Sequence, residues 1–408
     1  MSQKPLSFNN ARAIVLKNIE VLPAQPVPLK ECLGLILAAD VVSQDDIPYC
    51  TNSAMDGFAV VAEDVGHASP DCPVTLKIVE TIEAGQTPAH RIERGKCARI
   101  MTGAIMPDGA DAVVRVEDTE PADDSVKIRT SVRPGADVRP AGEDIAAGET
   151  ALAAGSELRP YEIGLLAAVG VAEPVVVPRP RVAILTTGSE LVPLSSPLSP
   201  GKVRNSNGPA LHAQCLAVGG VPVDFGVVED VDDATDRTLK QASATCDVVV
   251  TSGAVSMGER DRIRPAIERL GEIVFWRVAM RPGSPLLFGK LDGRPCFCLP
   301  GNPASAMLTF ELFVRPALRK IMGHKTLIRP VEQARAAEEL APKPGFTAFL
   351  RAVVEHRNGE LWVRKAGAQG SGMHKPFARA DCLVVLEGDH PVAPGEQVSI
   401  ISLAARES

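Results

Sequence analysis

Asp247-Val248-Val249-Val250-Thr251-Ser252-Gly253-Ala254-Val255-Ser256-Met257-Gly258-Glu259-Arg260-Asp261 is the stretch that decides the fold. Its valine run has the composition of a strand buried on both faces. The strand ends in a glycine-bearing loop, and the loop enters a helical segment carrying acids. In open α/β sheets, ligands bind in the crevice beyond the carboxyl ends of the strands. This loop is therefore where an anionic ligand and a metal are expected to meet. The same alternation repeats around it. Strands are expected at Val182–Thr186, Val221–Val228, Asp247–Thr251, Ile273–Met280 and Leu286–Leu291. Helices are expected at roughly Gly208–Val218, Ala234–Thr245, Asp261–Leu270 and Pro303–Met322. Such alternation predicts a mostly parallel sheet covered on both faces, with right-handed crossovers.

The flanking segments follow other patterns. Ser7 is the expected N-cap of a first helix reaching about Glu20. Pro23, Pro26 and Pro28 then enforce extended chain. From Asp45 to about Gly142 short apolar runs (Val74–Val79, Cys97–Met101, Ala112–Val116) alternate with turns such as Pro107-Asp108-Gly109, a β-rich pattern. Tyr161–Val171 fits a helix, and Pro174 to Pro180 marks a boundary. After Pro330 strands return: Phe349–His356 and Leu361–Arg364 flank Asn358-Gly359, a strong hairpin signal, followed by Cys382–Leu386 and Gln397–Leu403.

Composition excludes several classes. The chain has 408 residues, more than one core supports. Only 4% of residues are aromatic and the formal net charge is −7, which disfavours nucleic acid as a partner. The nine Cys are scattered without a C-x-x-C pair, as expected of reduced core thiols, and Cys296 and Cys298 should share one strand face. The seven His form no zinc-binding pattern. No apolar run suits a signal peptide or a membrane span, so a cytoplasmic protein with no membrane partner is expected.

Four loops at the strand ends carry candidate chemistry. Thr186-Thr187-Gly188-Ser189-Glu190 brings glycine and hydroxyls where backbone N–H groups can approach a phosphate. In Asn205-Ser206-Asn207-Gly208, Ser206 or Asn207 is placed to cap the next helix and to present a polar helix start to an anion. Asp230 follows the strand Val221–Val228. Asp261 closes the opening loop, whose Ser252, Gly253, Ser256 and Gly258 are candidate ligand contacts. Glu190, Asp230 and Asp261 each follow a different strand on one sheet edge, and three such carboxylates fit a magnesium site. Strand periodicity puts Arg277 and Arg281 on one face, suited to an oxyanion. Pro300-Gly301-Asn302-Pro303 is a tight turn with Asn302 as expected N-cap and Pro303 as first helical residue. Asn52-Ser53-Ala54-Met55-Asp56-Gly57 and Met101-Thr102-Gly103 look like turns between strands.

In order and spacing, these motifs, together with Gly142-Glu143-Asp144-Ile145, make the chain resemble the molybdopterin molybdenumtransferase family, MoeA, which includes the gephyrin E domain. The resemblance implies a multidomain α/β plus β fold. It has a central three-layer αβα domain of the MogA/MoaB kind at 178–327 and a β-rich inserted domain at 45–142. A small discontinuous linking domain occupies 1–44 and 143–177, and a β-barrel-like domain occupies 328–408. It further implies insertion of molybdate into adenylated molybdopterin with release of AMP. Asp56, Thr102, Asp144, Glu190, Asp230 and Asp261 match its catalytic positions, three of them with Mg2+. Gly188, Ser189, Asn207, Ser252, Gly253, Ser256, Gly258, Arg277, Arg281, Pro300 and Pro303 match its substrate contacts. A homodimer is implied, with Asp56 and Thr102 closing the site from the second subunit. Other cofactor-biosynthesis proteins and acceptor molybdoenzymes are further partners. The chain departs from the family pattern at Ala254, Arg264 and Ser284, the last removing a basic residue. Two alternatives stand beside the enzyme: a paralogue preferring tungstate, and a non-catalytic pterin-binding scaffold.

Overall fold

A computed structural model describes residues 4–228, 232–253 and 262–403. The chain divides into two compact units. One comprises residues 1–25, 34–36 and 176–408, the other residues 26–33 and 37–175.

In the first unit a six-stranded sheet runs in the order Val221–Val228, Arg181–Thr187, Val248–Ser252, Arg294–Leu299, Leu287–Leu291, Gly271–Trp276. The first four strands are parallel, and the last two join antiparallel. Period-two alternation explains its two covered faces. Val182, Ile184, Val248 and Val250 pack with Leu211 of the helix Asn207–Val218 and Leu308 of the helix Pro303–Thr309. Ala183, Leu185 and Val249 face Leu239 and Ala242 of Asp232–Thr245 and Ile263 and Ile267 of Ile263–Leu270. The expected three-layer αβα domain is therefore present. Cys296 and Cys298 lie on that second face, sulfurs 4.0 Å apart, and none of the nine cysteines is in a disulfide.

The first helix is Phe8–Lys17, with Ser7 Oγ accepting from Asn10 N as its N-cap. Beyond the α/β domain, Thr347–Arg357, Glu360–Lys365, Val331–Ala336, Gln397–Ser402 and Cys382–Leu386 pair in sequence. The last pairs back to the first, closing a five-stranded barrel. Asn358 and Gly359, at φ 50° and 80°, make the hairpin turn between the first two strands.

One expected strand does not exist as a unit. Ile273–Met280 is split into Gly271–Trp276 and Val278–Arg281, with Arg277 between them at φ 79°. A left-handed residue breaks the pleat, and the second piece leaves the α/β sheet to pair with Leu6–Ser7 and the barrel strand Thr347–Arg357. Alternation cannot carry across such a break, so Arg277 and Arg281 are not on one strand face.

In the second unit a six-stranded sheet has the order Thr119–Ala122, Ser125–Ile128, Val74–Ile82, Lys96–Ile100, Gly57–Val60, Ala112–Arg115. Phe58, Val60, Leu76 and Val126 build the core on one face, and Ala59, Ile82 and Ile100 on the other. Among the described residues no helix is long and apolar enough to cross a membrane.

Candidate active site

Parallel pairing brings the carboxyl ends of three central strands to one edge, at Thr187, Ser252 and Leu299. A cavity of about 900 Å³ opens there, and Gly188, Ser189, Glu190, Asn207, Ser252, Gly253, Pro300 and Pro303 all line it. The sequence-predicted residues of these loops thus converge, as the fold class requires.

A hydrogen-bonded floor holds the loops together. Asn207 Nδ2 donates to Ser252 Oγ and to Gly301 O, both at 2.8 Å, and Ser252 Oγ donates to Pro300 O at 3.1 Å. Asn205 Nδ2 donates to Thr186 Oγ1 at 2.8 Å. Asn205, not Ser206 or Asn207, accepts from the start of the helix, its Oδ1 taking Gly208 N at 3.1 Å. Asn207 is already the first helical residue, which frees its amide to tie two loops. Similarly, Asn302 precedes Pro303 as expected but makes no side-chain cap bond.

Gly253 is required by close approach. Its φ is 107°, and a Cβ there would stand 2.2 Å from Thr187 O. Thr187 is 4% exposed, lines the cavity, and its Oγ1 has no protein partner among the described residues. A buried hydroxyl facing a cavity without a partner is a group awaiting a polar ligand. Glu190 is an exposed carboxylate on the cavity wall. Asp230, Asp261, Ser256 and Gly258 lie outside the described residues, and no group of three metal-binding side chains occurs among the described ones.

A second cavity, about 420 Å³, shares Pro285, Pro300 and Asn302 with the first. Arg281 lines it; Arg277 lines neither cavity and instead stacks on Trp276, 5.0 Å from the ring centroid. Arg281 is joined by Lys343, both cations lying over the Phe346 ring at 4.9 and 5.9 Å. The third cation is Arg351, which is fully buried. Its Nη2 donates to Gly370 O at 3.1 Å, but Nε and Nη1 have no partner among the described residues. Burial pushes the Arg351 guanidinium below its ordinary range. An unpaired buried charge costs several kcal/mol, and an anion entering the cavity would offset it. Sequence reasoning missed Arg351 and Lys343. A signal existed: Arg351 interrupts the apolar run Phe349-Leu350-Arg351-Ala352-Val353 of an expected strand.

Ser284 Oγ donates to Val278 O at 2.8 Å, so this residue closes its own turn. Arg264 stacks on Trp276 from 4.3 Å.

In the other unit, antiparallel pairing of Gly57 with Ile100 sets Asp56 beside Thr102. Asp56 Oδ1 accepts from Thr102 N at 2.7 Å and from Thr102 Oγ1 at 2.8 Å. These two bonds, the backbone one first, hold the Asp56 carboxyl below its usual range. Asp144 stands in a different exposed turn, its N–H donating to Ile47 O at 2.9 Å, with no hydrogen bond to Asp56 or Thr102 among the described residues.

Three family models match the chain: the MoeA N-terminal region (domains I and II) over residues 6–170, a probable molybdopterin binding domain over 183–320, and the MoeA C-terminal region (domain IV) over 333–403. Molybdopterin molybdenumtransferase 2 of Mycobacterium tuberculosis is 39% identical over 384 residues, covering 92% of this chain and 94% of its own. Molybdopterin molybdenumtransferase of a Nostoc species is 38% identical over 377 residues, covering 91% and 86%. The crystal structure of a molybdopterin biosynthesis MoeA protein from Pyrococcus horikoshii superposes with a TM-score of 0.83 at 32% identity, covering 99% of this chain and 100% of that one. The chain belongs to the MoeA family of molybdopterin molybdenumtransferases.

Proposed function

We propose that the protein inserts molybdate into adenylated molybdopterin and releases AMP. One observation carries this: two cavities of different chemistry share a wall at Pro285, Pro300 and Asn302. The larger, built of glycine, hydroxyl and amide groups at the strand ends, suits a phosphorylated pterin nucleotide. The smaller concentrates Arg281, Lys343 and the unpaired Arg351, which suits a tetrahedral oxyanion. An oxyanion held beside a pterin dithiolene needs proximity and charge management rather than a protein nucleophile.

In this reading Arg281 and Arg351 hold molybdate, while Asn207, Ser252 and Thr187 orient the pterin phosphate. Arg277, turned onto Trp276, stands outside the oxyanion pocket. Glu190 is a hard oxygen donor on the cavity wall, as Mg2+ binding requires, with Asp230 and Asp261 as its proposed companions. When bound, Mg2+ supplies charge compensation at the phosphoanhydride as AMP leaves. Release of AMP breaks the phosphoanhydride by attack of a water, whose oxygen ends on one phosphate, and Glu190 is placed to orient that water.

Asp56 and Thr102 act from a second copy of the chain in a homodimer. The support is an exposed, readily ionised carboxylate fixed by Thr102 on a rigid strand pair. Mixing Asp56→Ala with Glu190→Ala protein should restore part of the activity that each variant lacks. No restoration after subunit exchange would refute sharing of the site.

The function is tested by AMP release from adenylated molybdopterin with and without molybdate. Molybdate-dependent release is expected. Release that ignores molybdate, or responds only to tungstate, would overturn the assignment.

A further inference from the structure

We propose that His374, supplied by the C-terminal barrel region, contacts the phosphoryl oxygens of the nucleotide in the larger cavity. The inference rests on the function proposed above and adds a residue that the strand-end loops do not contain. His374 lines that cavity and is exposed to it, with Nε2 3.3 Å from Ser206 Oγ. Ser206 immediately precedes the helix Asn207–Val218, so the imidazole stands at the positive end of a twelve-residue helix.

The segment that carries His374 is fixed rather than free. Ser371 O accepts from Ala304 N at 2.9 Å, and Gly370 O accepts from Arg351 Nη2 at 3.1 Å. Gln369 exchanges two bonds with the Arg351 backbone, donating to its O at 3.0 Å and accepting from its N at 2.9 Å. The segment is also the partition between the cavities: Gln369 and Ser371 face the smaller, Gly372 and His374 the larger.

Among the described residues the other charged groups on the cavity wall are Glu190, Lys202 and Arg204, while Lys375 and Arg379, on the short helix after His374, lie outside that lining. Lys202 Nζ donates to Ser189 O at 2.6 Å, and Arg204 donates to Leu194 O at 3.0 Å and Ser196 O at 3.3 Å. Both cations are thus engaged in shaping the rim. His374 offers the cavity a ring nitrogen, Nδ1, that no described residue occupies. A phosphate oxygen accepts readily from a ring N–H of this kind. Thr187, whose Oγ1 has no partner among the described residues, lines the same cavity.

The test is calorimetric binding of AMP, inorganic pyrophosphate and adenosine to the full chain and to His374→Ala and His374→Gln. Both substitutions fall on an exposed side chain, and an unchanged unfolding midpoint verifies the fold. His374→Ala should weaken AMP and pyrophosphate about tenfold, the value of one charge-assisted hydrogen bond, and leave adenosine unchanged. His374→Gln, which keeps a donor, should recover part of the loss. Wild-type affinity for AMP in His374→Ala, or an equal loss of adenosine, overturns the inference. Absence of molybdate-dependent AMP release by the wild type would instead sink the parent reading. A wild type that binds neither AMP nor pyrophosphate sinks both.

Discussion

The two cavities share a wall yet are built in opposite ways. The larger is made mainly of loops at the ends of parallel strands, and its polar groups are mostly satisfied by one another. The smaller is assembled from segments near residues 281, 305, 343, 351 and 370, and two nitrogens of its buried guanidinium have no partner among the described residues. The first is a preformed cradle whose groups are held by backbone geometry. The second is a charge trap whose stability depends on what enters it. Preorganisation and stored charge are different solutions, and they should fail differently under mutation.

The largest expected effect is on the cradle. In Gly253→Ala the added Cβ meets Thr187 O, so one of the two strand ends must move. A displacement of about 1 Å at a reacting site costs on the order of 100-fold in rate, which steady-state AMP release would register. Near-normal activity would show that the cradle is not rigid. Next comes the trap. Arg351→Met should raise the molybdate concentration for half-maximal AMP release by about tenfold or more, since at least one charge-assisted hydrogen bond disappears. Its unfolding midpoint should not fall, because replacing an unpaired buried charge with an apolar side chain is commonly neutral or stabilising. A fall of several degrees would mean that Arg351 is structural. Arg281→Ala should raise the same molybdate constant less, roughly severalfold, because Arg281 is exposed, while Arg277→Ala leaves it unchanged. Equal effects would restore the strand-face pairing that the break at Arg277 argues against.

The smallest effect lies in the other unit. Thr102→Ala removes one of two bonds to Asp56 and leaves the backbone bond, so the Asp56 pKa should rise part of the way to its ordinary value. The sign follows from the direction of the shift. A carboxylate with a depressed pKa adds stability that is present above the ordinary value of 3.8 and is lost as pH falls below it. The variant should therefore lose slightly less stability than wild type between neutral pH and pH 3. An unchanged carboxyl chemical-shift titration would contradict this.

How far the sequence could be read follows the same division. The α/β sheet was legible because Val182–Leu185 and Val248–Val250 alternate between two covered faces, and the strand-end loops that build the cradle are local in sequence. The hairpin at Asn358-Gly359 was equally local. Arg277 was misplaced because nothing in a β-rich apolar run announces a left-handed residue or a strand that changes sheets. Ser206 holds the expected N-cap position, but the side-chain bond to the helix start comes from Asn205, one residue earlier in a run of three polar residues. Arg351 belongs to the trap only because the barrel strand carrying it packs beside the turn at Pro282-Gly283, a long-range fact that no local pattern contains.

The central claim is that the two cavities bind two different substrates. Isothermal titration of AMP and of molybdate into Asn207→Ala and Arg351→Met tests it directly. Asn207→Ala should lose AMP affinity and keep molybdate, and Arg351→Met should do the reverse. Loss of both ligands in both variants, or retention of molybdate by Arg351→Met at wild-type affinity, would contradict the account.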